Sequence, residues 1–338
     1  MFLPIALLSL IALLAVLGIA EYAVHKRRLG SIPIRVHVNG TRGKSSVTRL
    51  VAAALREHGV RTFAKTTGTL PRMIMADGHE YPVYRISRAN IVEQLRIVGI
   101  AAREGAEALV IECMGLQPQL QSLSERKMIR ATHGVITNAR ADHLDVMGPS
   151  ERDVALALLG TTPVGAKLFT AERDYPAEFA AACADRGSEL HALTEEDVAA
   201  VTDEDLAGFG YVEHRENVAL ALKVALSLGI TRETAMRGMW KTPSDPGAMR
   251  DYHLEFFGRE VVFINGFAAN DPESSERIWN MALDRYPNVQ RRFMILNCRE
   301  DRTDRSQQLG AAEDIGARPD QVVAVGGPGS PPPASRPW

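Results

Sequence analysis

Residues 38–46 read Val38-Asn39-Gly40-Thr41-Arg42-Gly43-Lys44-Ser45-Ser46, a strand end running into a glycine-rich turn that opens a helix. Upstream, Ile34, Val36 and Val38 alternate with Arg35 and His37, the two-residue period of a strand. Downstream, Val47, Leu50, Val51, Ala54 and Leu55 fall at helical spacing, and Gly59 stands where a helix C-cap belongs. Such a turn suits a polyphosphate. Gly40 and Gly43 let backbone N–H groups turn inward, and the new helix adds its positive end. Lys44 can then reach the terminal phosphates, and the Ser45 hydroxyl can ligate Mg2+. The strict P-loop pattern wants an earlier glycine, at or near position 38, where this chain has Val38.

A chain of 338 residues has room for one large domain or two ordinary ones. Its charge is nearly balanced, −2 net, so nothing in it argues for a nucleic-acid surface. Cys113, Cys183 and Cys298 are widely spaced with no CxxC pair, which reads as reduced thiols in a cytosolic domain. The first residues are of another kind. Residues 2–20 carry no charged side chain. At about 1.5 Å per residue this run covers roughly 28 Å, the depth of a bilayer core. Positive charge follows the run, at Lys26, Arg27 and Arg28, instead of preceding it as in a cleaved signal peptide. The expectation is a single-pass anchor over residues 1–29 in the cell membrane, with the body of the protein on the cytoplasmic side.

Beyond residue 29 strand and helix patterns alternate with short connections, the mark of a parallel sheet wrapped by helices. Asn90 and Glu93 have the spacing of a capping box, as do Ser150 and Asp153. Short apolar strands are predicted at 108–113 and 134–138. Pro, Gly and Asp gather at residues 242–247, which places a boundary between a central domain, 30–245, and a smaller α/β domain, 246–326. In the latter a hairpin is predicted across Phe257-Gly258-Arg259, then strand 261–265, a helix capped by Asp271 with Pro272 at N1, and strand 293–297. Residues 327–338, rich in proline, read as a linker or disordered tail. The second domain is expected to be a shortened one.

In open α/β sheets the carboxyl ends of the strands deliver polar groups to the ligand crevice. Glu112 ends strand 108–113, and a carboxylate after Ala-Leu-Val-Ile requires a cation or hydrogen-bond donors. Mg2+ and a structural salt bridge are both open to it. Asn138 ends the next strand, and Asp142-His143-Leu144-Asp145 follows. That group could serve a metal, a phosphate, an amine nucleophile or only a capped loop.

Asn138-Ala-Arg-Ala-Asp142-His143-Leu144-Asp145, downstream of Gly-Thr-x-Gly-Lys-Ser, resembles the signature of the Mur ligase superfamily. Asn217 in Glu-Asn-Val-Ala-Leu-Ala, Asp245-Pro-Gly-Ala-Met-Arg250, Asn265-Gly-Phe-Ala-Ala-Asn270-Asp-Pro and the segment 297–305 continue the likeness in order. The anchor, the lack of a sugar-nucleotide domain before the loop, and Lys-Thr-Thr-Gly-Thr at 65–69 narrow it further. They resemble the catalytic subunit of poly-γ-glutamate synthases, the CapB/PgsB type.

The resemblance implies a membrane-anchored α/β fold with a P-loop-type central parallel sheet, a smaller Rossmann-like C-terminal domain, and ATP-dependent amide ligation through an acyl phosphate. It implies ATP held by Gly40, Thr41, Arg42, Gly43, Lys44, Ser45, Ser46, Asn217, Arg250 and Asn265. Mg2+ (or Mn2+) would lie on Ser45, Glu112 and His143, and Lys44, His143 and Arg250 would be catalytic. Asn270, Arg302 and Arg305 would hold substrate carboxylate or phosphate. The implied partners are glutamate and the growing poly-γ-glutamate chain, the membrane, small membrane subunits of a synthase and export complex, and a further copy of the chain; no nucleic acid is among them. One departure concerns the metal. Many Mur-type ligases have a carbamylated lysine about fourteen residues past the histidine, where this chain has Ala157, and the next lysine is Lys167. Other readings are a different ligase acting on folate or wall precursors, a membrane-tethered ATP-binding switch or scaffold, and a P-loop kinase.

Overall fold

One unbroken helix, α1 (Phe2–Gly30), carries the apolar run and the basic residues after it. It is long and apolar enough to cross a membrane, and residues 4–24 are exposed along its length. Its last two turns differ: His25 and Leu29 are buried against the body. The computed structural model describes residues 2–68, 70–85, 89–245, 249–267, 272–298 and 319–326. The chain divides into two units, Met1–Asp245 and Pro246–Trp338.

In the first unit β1 (Ile34–Asn39) leads through the glycine turn into α2 (Lys44–Glu57). Gly59 (φ 91°) ends the helix, with its N–H donating to Arg56 O and Val60 N–H to Leu55 O. This is a Schellman closure, in which a left-handed residue lets two orphan carbonyls be satisfied. Then come β2 (Thr62–Lys65), β3 (Arg72–Ile74), β4 (Glu80–Pro82), α3 (Glu93–Arg103) and β5 (Ala108–Glu112). A helix α4 (Pro118–Leu123) runs straight into a π-helical turn, Ser124–Ile129, before β6 (His133–Ile136). The chain continues with α5 (Leu144–Met147), α6 (Glu151–Leu158), β7 (Lys167–Thr170), α7 (Pro176–Arg186) and β8 (Glu189–Ala192). Helices α8 (Glu195–Ala199), α9 (Asp203–Ala207), α10 (Arg215–Ser227) and α11 (Arg232–Trp240) complete the unit.

The strands form one sheet in the order β4-β3-β2-β5-β1-β6-β7-β8. From β2 to β8 every pairing is parallel, which puts helices on both faces. Hence Ala108, Leu109, Val110 and Ile111 are all buried, one pair on each face. At the edge the expected parallel arrangement gives way, because β3 and β4 run antiparallel. The short link at Asp77-Gly78 (φ 87°) accounts for this, since a tight turn can join only antiparallel neighbours. One core layer joins β1 to α2, α10 and α11, and another joins β5 to α3, Ile129 and Leu29 of α1.

The reciprocal Ser150–Asp153 cap is present at the start of α6. The one predicted at Asn90 and Glu93 is not. Helix α3 starts at Glu93, and Asn90 Oδ1 instead accepts from Val92 N–H at 3.0 Å. The Glu93 carboxylate is taken by Arg85 and by the buried Lys65, 2.8 Å away. Enclosing an ammonium without a counter-charge is far costlier than losing one cap bond. Strand β6 also stops at Ile136, short of the predicted Asn138.

In the second unit β9 (Arg250–Phe256) and β10 (Arg259–Asn265) form the predicted hairpin. Its turn residues Phe257 and Gly258 both have positive φ, 50° and 70°, as a type I′ turn requires. After α12 (Pro272–Arg285), β11 (Phe293–Cys298) pairs in parallel with β12 (Gln321–Gly326). Asp271, the predicted cap, and the tail 327–338 lie outside the described residues. Cys113 and Cys183 are free and buried.

Candidate active site

The glycine turn is held by strict steric demands. Gly40 has φ 132°, and a Cβ there would lie 2.0 Å from Thr137 Oγ1. Gly43 has φ 78°, caps α2, and would drive a Cβ to 2.5 Å from Asn217 Oδ1. Both positions therefore require glycine for conformation and for close approach. No side chain caps the first turn of α2. The N–H groups of a helix start are in this way left to an anion. Val38 is not part of the turn at all: it is a buried β1 residue, in register with Glu112 and Val135. The missing glycine thus reflects a strand that runs farther before the turn begins.

The turn is fastened to the end of β6. Thr41 Oγ1 donates to Asn138 Oδ1 at 2.7 Å, and Arg42 N–H donates to the same oxygen at 3.1 Å. Thr41 N–H donates to Asn138 O at 3.0 Å, and Thr137 Oγ1 donates to Arg42 O at 2.6 Å. Lys44 Nζ lies across the turn, donating to Gly40 O at 2.6 Å and Thr41 O at 3.2 Å. Neither Thr137 nor Asn138 was assigned a role from sequence, although Asn138 opens the Asp-His-Leu-Asp signature.

Ser45 Oγ donates to Glu112 Oε2 at 2.8 Å, and Thr67 N–H donates to the same oxygen at 2.7 Å. Glu112 is buried at 2 % exposure, so these donors provide the compensation that its strand position demands. Hydroxyl and carboxylate oxygens side by side suit a hard divalent cation completed by phosphate and water. Gly68 packs beside them, its Cβ position 3.0 Å from Ser45 Oγ. Next to this pair Lys65 Nζ is enclosed by Glu93 Oε1 at 2.8 Å and Met114 Sδ at 3.6 Å. Burial lowers the Lys65 pKa, against the pull of Glu93 and Glu112. For Glu93, burial works upward, but the Arg85 hydrogen bond and the Lys65 charge hold it below the usual carboxylate value. No local sequence signal marks this buried pair, because the partner carboxylate comes from another segment.

His143 caps α5 in a left-handed conformation (φ 48°), with Nε2 3.8 Å from Asp142 Oδ1. Asp142 also lies 3.5 Å from Arg42 of the turn. Among the described residues no three His, Cys, Asp or Glu side chains gather as a metal-holding set. Ser45 and Glu112 are thus the two predicted metal ligands brought into contact. Ala157 is buried in α6, and Lys167 pairs with His133 at the start of β6, the opposite end of that strand from Asn138. Lys167 is therefore not positioned to stand in for the missing lysine. Asn217, on α10, donates from Nδ2 to Glu213 Oε1 at 2.9 Å while its Oδ1 meets Gly43. In the second unit Arg250 and Asn265 are direct register partners in the hairpin, and Asn265 Oδ1 accepts from Phe267 N–H at 3.2 Å. Asn270, Arg302 and Arg305 lie outside the described residues.

Two family models match the chain: the Mur ligase middle domain over residues 38–220 and the poly-gamma-glutamate synthase CapB C-terminal domain over 252–332. The capsule biosynthesis protein CapB of Bacillus anthracis is 42% identical over 316 residues, covering 93% of this chain and 67% of its own. The PGA synthase CapB of Bacillus subtilis (strain 168) is 40% identical over 307 residues, covering 90% and 77%. Among solved structures, a bifunctional folylpolyglutamate synthase/dihydrofolate synthase with Mn, AMPPNP and L-glutamate bound superposes with TM-score 0.60 at 17% identity, over 82% of this chain and 72% of that one. Folylpolyglutamate synthase from Thermotoga maritima gives TM-score 0.60 at 14% identity, over 91% and 79%. Such identities speak for the fold; the curated relatives and the two models speak for the family. The chain belongs to the poly-γ-glutamate synthase CapB family, ATP-dependent amide ligases built on the Mur ligase middle domain.

Proposed function

We infer that the chain is an ATP-dependent ligase that extends poly-γ-glutamate, with the phosphate turn at residues 40–46 as the seat of ATP. The observation that carries this reading is the Ser45–Glu112 oxygen pair, 2.8 Å apart, at the mouth of a turn whose two glycines have positive φ and leave no room for a Cβ. A divalent cation, Mg2+ or Mn2+, would be held by Ser45 and Glu112 with His143 as a further contact, and would neutralise charge on the phosphates. Lys44, released from the turn carbonyls, would pair with the terminal phosphates. Arg250 and Asn265 would bring phosphate contacts from the second unit, and Asn217 would stand by the nucleotide base. Asn270, Arg302 and Arg305 would hold the substrate carboxylates.

In the first step a carboxylate oxygen of the chain end attacks the γ-phosphorus, the bond to the ADP oxygen breaks, and an acyl phosphate forms. The amine nitrogen of glutamate then attacks the acyl carbon. The C–O bond to phosphate breaks, inorganic phosphate leaves, and the nitrogen gives up a proton as the amide forms. The residues contribute chiefly by orientation and charge neutralisation, which dominate phosphoryl transfer. Helix α1 would hold the enzyme in the cell membrane with its body in the cytoplasm, among small membrane subunits and further copies of the chain.

The test is glutamate-dependent phosphate release from ATP by membranes that carry the chain, with labelled glutamate followed into amide product. Turnover that requires glutamate and disappears in Lys44→Ala supports the reading. ATP binding with no glutamate-dependent turnover overturns it in favour of an ATP-binding scaffold.

A further inference from the structure

The end of α1 is docked on the body against α3, where Arg28 lies over Gly99, and against the π-helical turn Ser124–Ile129. His25 Nε2 is hydrogen-bonded to Met128 O at 2.9 Å. Arg35 ties the same two segments together. Its Nε donates to Ile129 O at 3.2 Å and Arg130 O at 3.0 Å, and its Nη1 to Leu29 O at 3.3 Å and Ile32 O at 2.5 Å. Leu29, Met128 and Ile129 then share one hydrophobic cluster. The helix is accordingly continuous with the folded domain and has no flexible linker in which the body could tumble.

The apolar run ends at Ala20, and the docked His25 comes five residues later. Five helical residues span about 8 Å. A headgroup layer is about 5–8 Å thick on each side of the hydrocarbon core. A bilayer crossed by α1 therefore brings its headgroups up to the π-helical turn. What that turn shows to the outside is basic. Met128 and Ile129 point into the core, whereas Arg126, Lys127 and Arg130 are exposed, as are Lys26 and Arg27 on α1. None of these five side chains takes part in an ion pair among the described residues. Beside them opens a groove of about 500 Å³ lined by Pro118, Gln119, Ser122, Leu123, Arg126 and Lys127. Its cations stand next to apolar wall, a combination that suits the phosphate of a lipid headgroup and the first carbons below it.

We propose that Arg126, Lys127 and Arg130, with Lys26 and Arg27, form a membrane-apposed face that binds anionic phospholipid headgroups and fixes the orientation of the catalytic body over the bilayer. The proposal rests on α1 crossing the membrane. Basic side chains near an anionic leaflet are each drawn to it by roughly a fivefold partitioning factor, and the attraction fades within a Debye length.

The test uses the full chain reconstituted into vesicles of phosphatidylcholine alone or of phosphatidylcholine mixed with phosphatidylglycerol. Resistance to alkaline extraction reports insertion of α1. Acylation of Lys127 by a neutral N-hydroxysuccinimide ester, followed by peptide mass analysis, reports the face, with Lys241 as the reference amine elsewhere on the body. The expected result is insertion in both lipids, with Lys127 acylated several-fold more slowly only where phosphatidylglycerol is present. High salt and the double variant Arg126→Glu/Arg130→Glu should restore its labelling. Insertion with equal Lys127 labelling in the two lipids overturns the lipid-binding face and leaves the spanning helix standing. Release of the chain by alkaline extraction from both lipids overturns the two together.

Discussion

Asn217 Oδ1, on α10, stands 2.5 Å from the point where a Cβ on Gly43 would lie, so a side chain from the far end of the domain closes over the phosphate turn. Two constraints act on Gly43, its left-handed φ of 78° and this contact. A left-handed residue other than glycine costs about 1–2 kcal/mol by itself. Gly43→Ala is expected to weaken ATP binding at least tenfold, and by a smaller factor when made in an Asn217→Ala background, where only the clash is absent. Nucleotide titration of the wild type, the two single variants and the double variant checks this; no effect of Gly43→Ala in the Asn217→Ala background would refute the conformational half.

The shared oxygen of Glu112 predicts a specific metal phenotype. Glu112→Gln keeps an acceptor for Thr67 N–H but removes the charge, and Ser45→Ala removes the hydroxyl. Each is expected to raise the divalent-metal concentration needed for half-maximal turnover by about 10–100-fold or more, the range found even for groups that only support metal ligands. Unchanged metal dependence in both would separate the pair from the metal.

Lys65 is fully buried, and Glu93 faces it across 2.8 Å. Glu93→Ala should be the more damaging change, because it strands an ammonium in the core. The expected loss is about 3–5 kcal/mol in urea unfolding. Lys65→Met, which removes the buried charge and leaves Glu93 with Arg85, should cost markedly less. Equal losses would mean that the pair matters through packing alone.

His37, inside β1, gives a pH signature. Burial works against its charge, but Cys113 and the Glu125 carboxylate, 2.7 Å away, prevail and push its pKa up to about 10. A pKa raised on folding means that the stabilisation is complete below the unfolded value of about 6.5 and is lost as pH rises through about 10. The unfolding temperature of the chain should thus fall between these limits, and His37→Gln should flatten that part of the profile. A variant with the same slope would remove His37 as its cause.

Local chemistry already determined the strand, glycine turn and helix at residues 34–59, the apolar helix, the Ser150 cap and the Phe257-Gly258 hairpin. Each depends on a period or a turn residue within a few positions of chain, where steric and hydrogen-bonding rules act directly. Glu112 was also legible, since a carboxylate at the end of an apolar strand calls for a partner, though not for which one. Tertiary structure alone decided that Ser45 and Thr67 supply that partner, that Asn138 fastens the turn, and that Glu93 leaves its cap for Lys65. It likewise decided that Arg35 and His25 join the apolar helix to a π-helical turn. These contacts unite residues far apart in the chain, and the energy that selects them is the cost of burying charge or an unpaired polar group, which exists only once the surrounding core has formed.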